Sequence, residues 1–379
     1  MAVAVDINTV LSKYRLLVES HLRGFLEQTQ TDAQLDQLGA FYGQMRYHLG
    51  WVHSDLSPAE GNPGKLLRPT LLLLAHQLCL PDGFHPGDHP PYALEQILPA
   101  ASAIELVHNF SLIHDDIEDG DQLRRHRPTL WKLWGQPQAI NTGDGLFSVA
   151  RLALWELVKT GIDAPTILTL ARLFDRACLE LCEGQHLDMS FERQREVSVF
   201  LYLDMIGRKT AALMQCATEM GARLATRDET QIAQLATFGR SLGLAFQLRD
   251  DLLGVWADER ELGKAPAGDI RRKKMSLPVL EALEHCAPDQ QERLRVIYDE
   301  DGPASDEQIA EVLDLYADAN IQQRCQERLL SAIVAARAAL DAIAWSEAGA
   351  QARYELGALV DFLARERLSQ LPRLPGEGP

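Results

Sequence analysis

The chain has 379 residues, 46% of them hydrophobic and 24% charged, with a formal net charge of −17. That size and balance describe a globule with one large core or two, and with no Gly/Ser-rich or Pro-rich linker in its middle the chain reads as a single domain over residues 1–370. The acidic balance excludes the basic face that nucleic acid requires, and apolar runs such as Leu71 to Ala75 fall far short of the ~20 residues of a membrane span.

The opening MAVAVDINTV lacks a basic region and carries Asp6, unlike a secretory signal. Cys79, Cys178, Cys182, Cys216, Cys286 and Cys325 show neither paired C-x-x-C spacing nor a dense disulfide framework, so they read as reduced thiols in a cytoplasm. Residues 5–30 and 31–50 have the periodicity of amphipathic packing helices. A turn-rich stretch, Ser54 to Pro63, then delivers GKLLRP, Gly64 to Pro69, to the start of an apolar helix running to about Leu80. Lys65 and Arg68, three apart, can reach one anion near that helix start, although on spacing alone a solvated basic turn is the better reading of the pair. Residues 81–93 form a loop with four prolines, and its His85 and His89 have no ligand company.

Residues 97–121 predict a helix whose apolar body ends in Asp115, Asp116, Glu118, Asp119 and Asp121. Asp115 and Asp119, four apart, share a face, and so many carboxylates at a helix C-terminus call for a positive partner. Mg²⁺ suits them, because it takes oxygen ligands and is held by one or two carboxylates together with substrate phosphates. Arg124, Arg125 and Arg127 follow directly, either as structural salt bridges or as forked donors gripping the same diphosphate. Helix after helix then runs to about Phe238, passing GQHLD, with Gln185 and Asp188 on one face, and GRKTAAL, with Lys209 and Thr210.

Residues 239–280 repeat the earlier arrangement. An apolar helix carries Gln247 and ends in Asp250 and Asp251, and a basic, Gly-punctuated loop follows with Lys264, Arg271, Arg272, Lys273 and Lys274. Residues 287–366 are structural helices, and the Pro/Gly-rich residues 371–379 read as a disordered tail. No strand pattern survives comparison with the helical one. The fold class is all-α, a large helical bundle with a central apolar cavity.

Two acidic helix edges facing each other across a bundle, rimmed by cations and floored by apolar walls, describe a site for an allylic diphosphate. Metal ions and fixed cations stabilise the charge that grows on a departing diphosphate, and a dry interior shields the carbocation left behind. Over about Gly64 to Leu280 the chain resembles the trans-isoprenyl diphosphate synthase family: HDDIEDGDQLRRHRPT is similar to its first aspartate-rich motif with the following arginines, and FQLRDD to its second. The resemblance implies a prenyltransferase that joins isopentenyl diphosphate head-to-tail to an allylic diphosphate, with three Mg²⁺ ions per site. It assigns the metal to Asp115, Asp116, Asp119 and Asp250, supported by Asp251. It assigns the allylic substrate to Arg124, Lys209, Thr210, Gln247, Lys264 and Lys274, and isopentenyl diphosphate to Lys65, Arg68, His108 and Arg125. It also implies a homodimer.

Three departures stand out: Gly254 in place of the last aspartate of the second motif, Leu66 where arginine is usual, and His126 where glycine is common. Family members with an aromatic residue at the position of Phe110 and a small one at Ser111 make geranylgeranyl diphosphate. Helix geometry puts Phe110 about 140° from Asp115, Ser111 within about 40° and Ile104 within about 20°, so these three are the candidate chain-length residues, with farnesyl or longer products as alternatives. A terpene cyclase would share the first motif, but its Asn-containing metal motif is missing between Asn141 and Asn320. A non-catalytic partner subunit is favoured only by Gly254 and Leu66.

Overall fold

The computed structural model describes residues 7–59, 64–83, 91–191, 194, 197–257 and 267–365. The expected tail, Lys264 and both loop histidines lie outside them. The described residues are almost entirely helical: α1 (Ile7–Asp32), α2 (Gly39–His48), α3 (Leu67–Leu78), α4 (Leu94–Glu118), α5 (Leu130–Trp134), α6 (Gln136–Trp155), α7 (Ala164–Phe191), α8 (Val199–Ile206), α9 (Ala212–Arg223), α10 (Glu229–Trp256), α11 (Gly268–Arg271), α12 (Leu277–His285), α13 (Pro288–Asp299), α14 (Asp306–Asp318), α15 (Ile321–Ala342) and α16 (Ala350–Arg365). No helix among them is long and apolar enough to cross a membrane.

The contacts cluster into two compact units, one of Met1–Cys178, Cys216–Ala233 and Ala344–Glu355, the other of Leu179–Gln215, Gln234–Ile343 and Leu356–Pro379. The first is built around α4. From Ile97 to Val107 this helix is buried on every side, as an all-round apolar helix must be, and α6, α3 and α1 pack against it. It starts three residues earlier than its periodicity predicts because Gln96 Oε1 accepts from the Ala93 N–H at 2.8 Å, satisfying one orphan donor. It ends at Glu118, where Gly120 takes a left-handed φ of 66° and its N–H reaches back to the Ile117 carbonyl.

One departure from the all-helix expectation follows directly. Leu123–Arg124 and Arg127–Pro128 form a two-residue antiparallel hairpin whose turn residues, Arg125 and His126, have φ of 51° and 62°. A turn with two left-handed residues matches the twist of its strands and normally favours Asn and Gly. This accounts for glycine being common where His126 stands, and here a bulkier side chain bears the strain. Two residues per strand leave no alternation to detect.

In the second unit, α12 packs against α8 and α15, and the Ser305 hydroxyl caps α14 while Gln308 returns the bond. Between α8 and α9 the chain makes a π turn, Gly207–Ala211, in which the Ala212 N–H bonds the Gly207 carbonyl five residues back.

Candidate active site

Within the first unit, two segments far apart in sequence, GKLLRP and the hairpin turn, converge on α4. Arg68, at the start of α3, donates from Nη1 to His108 Nε2 at 3.1 Å. An arginine can only donate, so the imidazole is neutral at that nitrogen. Burial, reinforced by Arg68 and Arg125, holds His108 well below the usual histidine range. Arg125 arrives from the hairpin turn and lies over Gly64: a β-carbon built on Gly64 would fall 2.7 Å from Arg125 Nη2, and Gly64 has a φ of 98°. The glycine of GKLLRP is thus required both by its backbone and by the guanidinium packed on it. Lys65, beside it, is exposed, and Leu66 is buried at the left-handed start of α3 with a φ of 49°. Its side chain fills the core instead of reaching an anion.

The first acidic cluster divides by burial. Asp119 and Glu118 are exposed and Asp115 is half-buried, whereas Asp116 is turned inward at 2% exposure. There Asp116 Oδ1 accepts from Arg124 Nε at 2.6 Å. Burial pushes its carboxyl up to about 6, against the pull of Arg124. Asp116, Arg124 and Arg125 line one small cleft with Tyr47, His48 and Arg127. Arg127 has a structural task, holding the Tyr47 and Val52 carbonyls and stacking over the Tyr47 ring.

Beneath this cationic layer sits a carboxylate that sequence inspection passes over. Glu105 is 2% exposed, and its Oε1 accepts from Asn109 Nδ2 at 2.7 Å. Burial raises it to about 7, opposed by the Asn109 bond and by Arg68 and Arg125. One turn apart on the same helix face, Glu105 and Asn109 could have been noticed as a polar pair in an apolar run. Further along α4, Ser111 bonds the His108 carbonyl, Ile104 is fully buried, and the half-exposed Phe110 packs on His114 and on Phe147 of α6.

Within the second unit, Lys209, Thr210, Gln247, Asp250, Asp251 and Lys274 all belong to one neighbourhood. The π turn presents Lys209, whose Nζ pairs with Asp188 of α7 at 2.5 Å, and Thr210, whose hydroxyl donates to Gln247 Oε1 at 3.0 Å. Gly184 makes the approach of α7 possible: a β-carbon there would lie 2.2 Å from the Lys209 backbone nitrogen. The network continues from Gln247 Nε2 to Asp251 Oδ1 at 3.1 Å, and the Tyr202 hydroxyl donates to Asp251 Oδ2. Asp251, 1% exposed, is raised to about 7 by burial, opposed by Lys274, Tyr202 and Gln247. Asp250, next to it, is exposed. The adjacent aspartates therefore differ in kind, one facing outward and one anchoring the helix. Of the basic loop, Arg271, Arg272 and Lys273 are engaged with Asp306, Asp269 and the Glu300 carbonyl, while Lys274 is the cation whose charge Asp251 feels.

The family model for polyprenyl synthetases matches residues 52–316. The chain is similar to the geranylgeranyl diphosphate synthase of Mycobacterium tuberculosis, 40% identical over 293 residues that cover 76% of this chain and 79% of that one. It is also similar to the (2E,6E)-farnesyl diphosphate synthase of Mycobacterium bovis, 39% identical over 271 residues, 71% of each. In structure it matches the polyprenyl synthetase from Streptomyces coelicolor A3(2), with a TM-score of 0.81 at 36% identity over 94% of this chain and 99% of the other. These likenesses define an all-helical prenyltransferase. The chain belongs to the polyprenyl synthetase family, the trans-isoprenyl diphosphate synthases.

Proposed function

We propose that the chain adds isopentenyl diphosphate head-to-tail to allylic primers and that geranylgeranyl diphosphate is its principal product. The observation that carries the substrate assignment is the convergence of Arg68, His108 and Arg125 on one face of α4, a set of donors suited to a diphosphate. Lys65 stands beside them. Arg124 and the group of Lys209, Thr210, Gln247 and Lys274 hold the allylic diphosphate, with Lys264 as a further cation from the loop outside the described residues.

Mg²⁺ fits the donor set. Asp115 and Asp119 share a helix face with hard oxygen ligands, and Asp250 is exposed at a second helix end, while Asp116 and Asp251 are held from behind by Arg124 and Tyr202. Three ions per site, as the family resemblance implies, would offset the leaving diphosphate's charge. The allylic C1–O bond breaks, with the electron pair leaving on diphosphate. The double bond of isopentenyl diphosphate then attacks C1, and loss of a proton from its C2 restores an alkene. The fixed guanidinium and ammonium groups need no reorganisation as charge develops on the leaving oxygens.

Product length is assigned to Phe110, backed by Phe147, with Ser111 and Ile104 on the neighbouring face of α4. A homodimer accounts for exposed Ile140, Leu152, Trp155, Val158 and Leu168, which a lone chain would leave in water. Six cysteines outside any disulfide suit the cytoplasm.

The test is purified chain with Mg²⁺, isopentenyl diphosphate and dimethylallyl, geranyl or farnesyl diphosphate in turn, the products dephosphorylated and sized. Geranylgeraniol is expected from all three primers. A farnesol end point would move the assignment toward the farnesyl synthases, and no condensation from any primer would leave the chain as a non-catalytic subunit.

A further inference from the structure

Glu105, His108 and Asn109 stand together on α4, at spacings of three and four that put His108 and Asn109 beside Glu105 on one face. The two oxygens of Glu105 are unequal. Its Oε1 accepts from the fully buried Asn109 at 2.7 Å, whereas its Oε2 is buried with no hydrogen-bond partner among the described residues. A carboxylate held this way is costly as an anion, because burial penalises the charge and half of its acceptors are idle.

The compensation comes from two cations that other residues hold in place. Arg68 of α3 is fixed by His108, one turn along from Glu105, and Arg125 of the hairpin lies over Gly64. Both guanidiniums favour the ionised form of Glu105, and Arg125 is favoured by Glu105 in return. The other elements packed here bring charges that are spent elsewhere or suppressed. Burial drives His48 of α2 and His108 toward the neutral form, and His21 of α1 is bonded to Ser102. The two charged residues of α6, Asp144 and Arg151, are engaged with His114 and Asp175. Asp116, the other buried acid of α4's end, already belongs to Arg124.

We propose that Glu105 is a positioning residue: it is the counter-ion of Arg68 and Arg125 while the isopentenyl diphosphate site is empty, and it takes up a proton from solvent when the diphosphate replaces it in that role. The inference rests on the reading of Arg68, His108 and Arg125 as that site. An incoming diphosphate neutralises both guanidiniums and adds negative charge of its own, so the carboxylate loses its compensation and the neutral acid is favoured. Glu105 sits at about 7 in the empty chain, where a modest change in local charge moves its proton. Ionised, it holds two like charges side by side; neutral, it leaves no anion beneath the bound anion. Binding that takes up a proton weakens as pH rises, by up to about tenfold for each unit by which the diphosphate raises the acid.

The test is calorimetric titration of the full chain with isopentenyl diphosphate alone, which has no allylic partner to react with, in buffers of different protonation enthalpy. Circular dichroism confirms folding. At about pH 7.5 the parent should take up roughly half a proton more per ligand than Glu105→Gln, a difference from which the ligand's own titration cancels. Between about pH 6 and about pH 8.5 the parent's affinity should fall severalfold relative to that of Glu105→Gln. Infrared difference spectra of the parent should gain a protonated-carboxyl band on binding that the variant lacks. Equal proton uptake in the two folded proteins would overturn the proposal, as would parallel pH profiles. Should Glu105→Gln not fold, the parent's infrared spectrum decides, and no band gained on binding sinks the idea. Arg125→Met separates the premise: if it binds isopentenyl diphosphate like the parent, the reading of the site itself fails. If it loses affinity while parent and Glu105→Gln take up protons equally, only the role of Glu105 falls.

Discussion

The ring of Phe110 lies against that of Phe147, centroids 5.1 Å apart and planes tilted by 44°. His114 closes on the other side at 4.9 Å, edge to face. Phe110 is thus held by α6 as well as by its own helix. Phe147→Ala should act in the same direction as Phe110→Ala, lengthening the product by at least one isoprene unit, although Phe147 lies outside the aspartate-rich motif. Chromatography of dephosphorylated products checks this. An unchanged spectrum in both variants would remove the pair from the length-setting machinery.

Glu105 makes the pH dependence of stability specific. Its folded value of about 7 lies above the ordinary 4.5, so its contribution is fully present below about pH 4.5 and is lost as pH rises through about 7. Glu105→Gln retains an acceptor for Asn109 and cannot ionise. Relative to the parent, the variant should gain stability at about pH 8 and gain none at about pH 3.5, as read from urea midpoints. A constant offset at both would show that Glu105 does not titrate in this window.

Tyr202 donates to the buried Asp251, whose other oxygen accepts from Gln247. Tyr202→Phe leaves Asp251 Oδ2 without its donor and should cost about 1–3 kcal/mol of stability. It should also depress turnover, because Asp251 fixes the helix end that presents Asp250. Equal denaturant midpoints for parent and variant would contradict this account.

Gly184→Ala places a methyl group 2.2 Å from the Lys209 backbone nitrogen. Backbone cannot step aside as a side-chain tip can, so overpacking of about 1–3 kcal/mol is expected. The KM for the allylic substrate should rise with it, since Lys209 is displaced. A variant with unchanged KM and melting temperature would show that α7 can shift without disturbing the π turn.

Much of this was legible from residue spacing. Asp250 and Asp251 stand out by repeating Asp115 and Asp116, and the helical period located α4 to within three residues at either end. The spacing could not separate the two members of each pair. Asp116 faces the core because Arg124 folds back to it through the hairpin, and Asp251 does so because Tyr202 approaches from 49 residues away. Such partners leave no periodic trace. Leu66 shows the converse: seen as a lost phosphate contact, it proves to be a buried apolar residue at a left-handed helix start.

The extra residue in the π turn has an implication for insertion and deletion. A helix that has absorbed one additional residue can shed it and remain a continuous helix, so a single deletion within Gly207–Ala211 should be compatible with folding. Each residue advances a helix by about 100°, so the same deletion would swing Lys209 and Thr210 away from Asp188 and Gln247. A relative that has lost that residue would keep the architecture and surrender its hold on the allylic substrate.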